Sequence, residues 1–362
     1  MNNNNNTKSK SSDIGHQTLD LKNYVFPAEW EEHEATWLSW PHKEASWPDR
    51  IDLIYPAYAQ FIAELTKGEF VCINVKDQEM QAFAMEHISK AGADISKVEF
   101  YFHETNDAWC RDHGPAFLVN KNGEEPKKII VDWGFNAWGG KYPPFELDDV
   151  IPTKIAKEKG LPVLYPGIIM EGGSVEFNGA GTVLTSKSCL LNENRNPHLS
   201  KEEVEEILKK YYGQKQVLWV DDGIVGDDTD GHVDDTIRFV NENTVLTVIE
   251  DNPEDDNYEI LQTNLRQLEE MTLLNGEKLN IIQLPMPDPV YCDGQRLPAS
   301  YANFYIANKS VIVPTYRCDK DEVALEIIQQ CFPDREVVGI DSTDIIWGLG
   351  SFHCLSQQEP LV

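Results

Sequence analysis

Ile237-Arg-Phe-Val-Asn241 followed by Val245-Leu-Thr-Val248 reads as two short apolar strands folded back on one another about an asparagine. The same pattern occurs three more times. Ala116-Phe-Leu-Val-Asn120 precedes Ile129-Ile-Val131, Val175-Glu-Phe-Asn178 precedes Thr182-Val-Leu184, and Phe304-Tyr-Ile-Ala-Asn308 precedes Val311-Ile-Val313. Asparagine tolerates the left-handed backbone that tight hairpins need, which is the expected reason for its place at each turn. Outward from the hairpins lie amphipathic helices and single strands. Ser200 to Tyr212 opens with a capping box of Ser200 and Glu203, and Asp319 to Gln330 carries Val323, Ala324, Ile327 and Ile328 on one face. Val217-Leu-Trp-Val220, Ile281-Ile-Gln-Leu284 and Val337-Val-Gly-Ile340 are the strands that follow. A unit of hairpin, helix and strand thus recurs about every 60 residues, which argues for a closed ring of modules. The chain has room for five, with the stretch from Tyr24 and the Cys354 segment completing the circle. A doubly wound sheet is the alternative, but no GxGxxG follows a strand.

Before the first hairpin, Asp52 to Thr66 and Gln78 to Ala91 have helical spacing, and Phe70 to Val75 and Val98 to Phe102 read as strands. Residues 1–23 form a polar, asparagine-rich tail expected to be disordered, and 24–362 are expected to form a single domain. The 362 residues carry 61 acidic against 31 basic side chains, a net charge of -30. Such a surface repels phosphates and argues against nucleic-acid binding, while it suits a cationic small molecule. The seven cysteines include no CxxC pair, and no signal peptide or membrane-length apolar run is present. The expectation is a reduced, cytoplasmic protein that uses no membrane.

Four segments carry chemistry. Gly348-Leu-Gly-Ser-Phe-His-Cys354 gives Cys354 a glycine-rich approach and a polar exit, which suits a thiol shown to a ligand better than a packing cysteine. In Asp227-Asp-Thr-Asp-Gly-His-Val-Asp-Asp-Thr-Ile-Arg-Phe239, a strand from 232 onward would put His232, Asp234, Thr236 and Arg238 on one side, and Val233, Ile237 and Phe239 on the other. A calcium loop is excluded there, since its phase requires acids where Gly226 and Ile237 stand. Asn106-Asp-Ala-Trp-Cys-Arg-Asp-His-Gly-Pro115 crowds Trp109, Arg111, Asp112 and His113 ahead of a turn, and Met170-Glu-Gly-Gly-Ser174 sets Glu171 beside paired glycines. The plainer readings are a salt-bridged loop around Arg111, an ordinary turn at Glu171 and a solvated acidic loop at 227–235.

With Pro27-Ala-Glu-Trp30, Thr36-Trp-Leu-Ser-Trp-Pro41 and Leu190-Leu-Asn-Glu-Asn-Arg-Asn-Pro197, these segments resemble the agmatine deiminases of the guanidine-modifying pentein superfamily, relatives of the Porphyromonas-type peptidyl-arginine deiminases. The resemblance runs in order from about residue 24 to the end. It implies a five-bladed α/β propeller of ββαβ modules with pseudo-fivefold symmetry, in keeping with the period above. It also implies that Cys354 is the nucleophile and His232 the acid/base, that Asp112 and Asp234 grip the guanidinium, that Glu171 is a further site carboxylate near His232, and that Trp109 walls the pocket. Asp228 stands where relatives carry Glu close to the substrate's far amine, and Cys110 where Ala is familiar. The implied reaction is hydrolysis of agmatine to N-carbamoylputrescine and ammonia in polyamine biosynthesis, by a homodimer that uses no metal or organic cofactor.

The chemistry asks for these residue types. Two carboxylates bind a planar guanidinium in bidentate fashion, an aromatic ring covers its face, and a thiolate attacks its carbon. Deimination of arginine or peptidyl-arginine remains open, with Arg111, Arg195 or Arg238 as partners for a carboxylate. So does a metal-dependent amidohydrolase with His232, Asp234 and Glu171 as ligands, although it leaves the Cys354 segment unexplained. A non-catalytic cation-binding protein is the third reading.

Overall fold

In the computed structural model, which describes residues 19–362, Ile237–Asn241 pairs antiparallel with Thr244–Ile249, and that strand pairs parallel with Asn280–Pro285. The helix Tyr258–Glu270 makes the crossover. The same β-β-α-β pattern recurs in three other sheets. Val175–Phe177, Thr182–Ser186 and Gln216–Val220 are bridged by the helix Lys201–Tyr212. Tyr305–Ile306, Ser310–Thr315 and Glu336–Asp341 are bridged by Lys320–Cys331. Ala116–Asn120, Lys128–Val131 and Val163–Leu164 are bridged by Ile151–Lys159, with Tyr24–Val25 added at the edge.

A fifth sheet joins the two ends of the chain. Ser356–Pro360 pairs antiparallel with His33–Ser39, which continues in parallel to Phe70–Asn74 and Val98–Tyr101 across the helices Ile51–Leu65 and Gln78–Lys90. The segment that ends in Cys354 therefore runs directly into a strand held by the N-terminal sheet. The central strands Thr182–Ser186, Thr244–Ile249 and Ser310–Thr315, each paired on both sides, are buried along nearly their whole length. The expected disordered tail at 1–23 falls mostly on residues 1–18, which lie outside the described residues; Leu21–Asn23 is a single 3-10 turn.

The turn asparagines are where expected but act differently. None of Asn120, Asn178, Asn241 or Asn308 has positive φ; Gly123 (69°) and Gly179 (70°) take that conformation instead. The asparagines accept backbone N–H bonds two residues ahead, Asn120 from Asn122, Asn178 from Ala180 and Asn241 from Asn243. They serve as Asx turns, which the short amide side chain makes without a left-handed residue. Asn308 instead brackets the backbone of His33, accepting from its N and donating to its O at 2.8 Å each.

The strand expected from residue 232 is also corrected. Val233–Asp235 is a 3-10 turn, and the strand begins at Ile237. The cause lies in the loop before it. Gly231 takes φ 98°, and the N–H of His232 donates to Asp227 Oδ2 at 2.8 Å, so the chain enters the segment already turning. Val233, Ile237 and Phe239 are still buried on the apolar side. Arg238 lies on the strand, but it reaches Glu29 and Glu176 in the interior rather than a ligand.

Candidate active site

Cys354 lies at the floor of a cleft of about 530 Å³ whose walls include Trp109, Asp112, Trp138, Asp228, Trp347 and Gly350. The thiol is 5 % exposed, so it faces the cleft without facing bulk water. The glycines before it are approached by a ring rather than left open. A Cβ on Gly348 or Gly350 would come within 2.7 Å of Trp109, which in turn stacks on Trp47 at 5.3 Å. Close packing of Trp109 is thus what these two positions require.

The structure brings Cys354, His232, Asp112 and Asp234 together. Cys354 Sγ lies 3.6 Å from Asp234 Oδ2, and His232 Nδ1 lies 3.8 Å from Asp112 Oδ1. Gly173 sits between them: a Cβ there would lie 2.6 Å from His232 Nδ1 and 3.0 Å from both Asp112 Oδ1 and Asp234 Oδ2. Its N–H donates to Asp112 Oδ1 at 3.0 Å, while the indole N–H of Trp138 donates to Oδ2 at 2.9 Å. Both ring nitrogens of His232 and Oδ1 of Asp234 are buried with no hydrogen-bond partner among the described residues. Buried polar atoms are normally paired, so three such atoms on two residues that converge on Gly173 mark a place built to receive donors and acceptors from a ligand.

Burial sets the protonation of these groups. It pushes the Cys354 thiol well up, and the nearby charges of Asp234, Asp235 and Asp112 push it further. Burial, then the charges of Asp234 and Glu171, holds Asp112 well above the usual carboxylate range, and burial brings His232 down to about 4. Burial works against the charge of Asp234 as well, but the hydrogen bond and charge of His353 outweigh it and leave this carboxylate below its ordinary value. Burial thus resists charge on Cys354, His232 and Asp112 alike, and a bound cation would favour the charged forms of the thiol and of Asp112.

Glu171 is fully buried beside this group, with Oε1 accepting from Arg195 Nε at 2.7 Å. Its carboxylate, Cys189 Sγ and a ring nitrogen of His232 offer donor atoms within 4.8 Å of one another, as do Asp234, Asp235 and Cys354. Arg195 already supplies a positive charge to the first set, which suits Glu171 to a structural ion pair better than to a metal. Asp228 lies at the rim, where it is paired with Tyr142 and, at 3.4 Å, with Lys141. Cys110 is buried, and its neighbour Arg111 points inward.

Sequence reasoning missed the support behind the cleft. Glu29 accepts from His353 Nε2 at 2.7 Å, from Arg238 at 3.0 Å and from Arg111 at 3.3 Å. Asn303 bonds to Cys354, and Asp235 is buried beside it. Glu29 in Phe26-Pro-Ala-Glu29 and Asn303 in Tyr301-Ala-Asn-Phe304 were each visible as a lone polar residue in an apolar run. Trp138 sits in the glycine-rich run Trp133-Gly-Phe-Asn-Ala-Trp-Gly-Gly140 and has a left-handed backbone, φ 54°, unusual for a bulky residue and a mark of a functional constraint. None of Arg111, Arg195 and Arg238 is free for a ligand carboxylate, since each is held by a glutamate of the interior.

The family model of the Porphyromonas-type peptidyl-arginine deiminases matches residues 25–360. An agmatine deiminase of Pseudomonas aeruginosa is 36% identical over 360 residues, covering 93% of this chain and 95% of that protein. Among solved structures, an agmatine deiminase of Enterococcus faecalis superposes with a TM-score of 0.86 at 33% identity, covering 94% of this chain and 97% of its own. A cysteine-to-serine variant of the C. jejuni agmatine deiminase with substrate bound superposes with a TM-score of 0.82 at 36% identity, covering 93% and 96%.

Proposed function

Since the chain belongs to the Porphyromonas-type peptidyl-arginine deiminase family, we infer that it is an agmatine deiminase, which hydrolyses agmatine to N-carbamoylputrescine and ammonia. The observation that carries the reading is the buried thiol of Cys354 at 3.6 Å from Asp234, with polar atoms of Asp234 and His232 left without hydrogen-bond partners among the described residues. Asp112 and Asp234 take the N–H groups of the guanidinium, and Trp109 covers one side of the pocket. The positive charge of the bound substrate offsets the carboxylates that hold the thiol protonated, and the thiol proton passes to His232. The thiolate then attacks the guanidinium carbon, and His232 returns the proton to the departing nitrogen, which leaves as ammonia. An amidino-cysteine remains. Water attacks it as His232 accepts a proton, the C–S bond breaks with its electron pair returning to sulfur, and the ureido product departs.

The tail of the substrate is supported by charge. The basic residues of the cleft wall are neutralised by partners, Lys43 by Asp107 at 3.2 Å and Arg50 by Asp344 at 3.0 Å. With Asp228 paired to Lys141, Asp49 and Asp293 still leave the wall with an acidic surplus. An amine is at home there and an α-carboxylate is not, which favours agmatine over arginine.

The same proposal takes residues 24–362 as one domain of five ββαβ blades about a pseudo-fivefold axis, which the five sheets of three or four strands and the pairing of Ser356–Pro360 with His33–Ser39 support. A role in polyamine supply and a homodimer follow from the family resemblance. A cytoplasmic setting rests on the seven free cysteines. Among the described residues, no helix is long and apolar enough to cross a membrane. The test is ureido-product and ammonia formation from agmatine, arginine and a blocked arginine peptide, by wild type and Cys354→Ala, with and without EDTA. Agmatine turnover that ignores EDTA and vanishes in the variant is expected. Activity that survives in Cys354→Ala but is lost to chelator overturns the reading.

A further inference from the structure

Asn303 is 1 % exposed and uses every polar atom of its side chain on the cysteine turn and what faces it. Its Oδ1 accepts the backbone N–H of Ser351 and that of Cys354, each at 3.2 Å. Two N–H donors on one atom identify that atom as the oxygen, so the orientation of the amide is forced. Nδ2 must therefore face the other way. There it donates to Asp235 Oδ1 at 2.8 Å and to Cys354 Sγ at 3.0 Å, one hydrogen for each. The backbone is engaged too, since the carbonyl of Asn303 accepts from the N–H of His353 at 3.2 Å.

The charge around the sulfur makes this donor matter. Asp234, Asp235 and Asp112 all oppose a thiolate at Cys354. Among the described residues, Asn303 supplies the hydrogen-bond donor that reaches Sγ. We propose that Asn303 is a catalytic residue, whose Nδ2–H bond to Cys354 Sγ stabilises negative charge on sulfur before it attacks and again when it leaves the amidino intermediate. The proposal rests on the thiol mechanism above. A purely structural role, fixing the turn through Oδ1, is the competing explanation, and the two halves of the amide separate them.

Asn303→Asp keeps the acceptor for Ser351 and Cys354 but replaces the donor, whereas Asn303→Ala removes both without adding charge. The readout is the rate of iodoacetamide labelling of Cys354, resolved by peptide mass spectrometry across pH 6 to 10, where a 10- to 100-fold fall in rate at a given pH reports an upward move of the midpoint even when the midpoint itself lies above the range, with thermal melting as the control for folding. No substrate is present, so the result stands apart from whether agmatine is turned over. Loss of a hydrogen bond to a charged sulfur is expected to move the labelling midpoint up by about one to two pH units in both variants. An unchanged midpoint in folded Asn303→Asp overturns the proposal, as does a shift in Asn303→Asp with none in Asn303→Ala, which would reduce the effect to added charge. Should Asn303→Ala fail to fold, the isosteric and uncharged Asn303→Leu takes its place as the control for added charge.

Discussion

Nδ1 of His353 lies 2.6 Å from Oδ2 of Asp234, while Oδ1 of the same carboxylate is buried with no hydrogen-bond partner among the described residues. One oxygen is pinned and the other is left for an incoming donor. The far nitrogen of the ring is itself held by Glu29, which Arg111 and Arg238 grip from behind. The residue next to the thiol in sequence thus serves the carboxylate that faces it.

Replacing His353 tests that arrangement. Glutamine reaches Asp234 or Glu29 but not both, and it leaves the other carboxylate buried without its donor. His353→Gln is expected to lower kcat/KM for agmatine about 100-fold, with KM rising several-fold as Asp234 loses its fixed orientation. Asp234→Asn should do at least as much harm, and the double variant little more, because the two act through one carboxylate. Steady-state kinetics of the four proteins read this directly, and additive losses would contradict it.

Gly173 offers a sharper steric test. It is not among the residues with positive φ, so alanine strains no backbone there. The added methyl would instead lie 2.6 Å from His232 Nδ1 and 3.0 Å from Asp112 and Asp234, inside contact distance of all three. Gly173→Ala is expected to remove activity by about 1,000-fold, because a displacement of about 1 Å at the chemistry already costs about 100-fold. Circular dichroism should report a folded protein. More than a tenth of wild-type activity would mean the three groups need not converge.

His113 is buried away from the cleft walls, and burial brings it down to about 4 from an ordinary value of 6.5. The sign follows from the unfolded chain, which takes up the proton first as the solution is acidified. The neutral ring therefore contributes fully above pH 6.5, and its contribution is lost as pH falls from there towards 4. The whole swing amounts to about 3 kcal/mol. His113→Leu removes it, so the stability gap between wild type and variant should shift in favour of the variant over that window. Urea unfolding at pH 7, 5.5 and 4.5 measures the gap, and a gap independent of pH would show that His113 does not titrate this way.

The parts of the fold that could be read from the sequence are those whose pattern is local. The four hairpins stood out because two short apolar runs flank an asparagine in each, and Lys201–Tyr212 because its cap and its stripe agree. Tyr258–Glu270 was not singled out: its buried face interrupts Leu261 and Leu268 with Asn264, which donates to the carbonyl of Asp222. The site divides along the same line. Cys354, His232, Asp112, Asp234 and Glu171 lie in recognisable segments, whereas Glu29 meets His353 across 324 residues. A carboxylate that acts by holding another residue has no local spacing to give it away. The strand expected at 232 failed for a related reason, since the contact of Asp227 with the His232 N–H is invisible to alternation.

Protonation of the site carboxyls bears on binding itself. Burial, then the neighbouring carboxylates, holds both Asp112 and Asp235 well above the usual range, so without a cation these groups retain protons that free carboxylic acids would have lost. A guanidinium gripped by Asp112 requires the ionised form, and its positive charge favours that form. Agmatine binding should therefore expel protons, and affinity should rise with pH until the raised carboxyl has ionised in the free protein, by about tenfold per unit for each proton released. Cys354→Ser removes both the thiol titration and the turnover, leaving binding alone to be measured. Calorimetric titration in two buffers of different ionisation enthalpy counts the protons, with about one expected on the acidic side of neutrality. No release, or uptake, would place the charge-bearing contact elsewhere in the cleft and remove Asp112 from it.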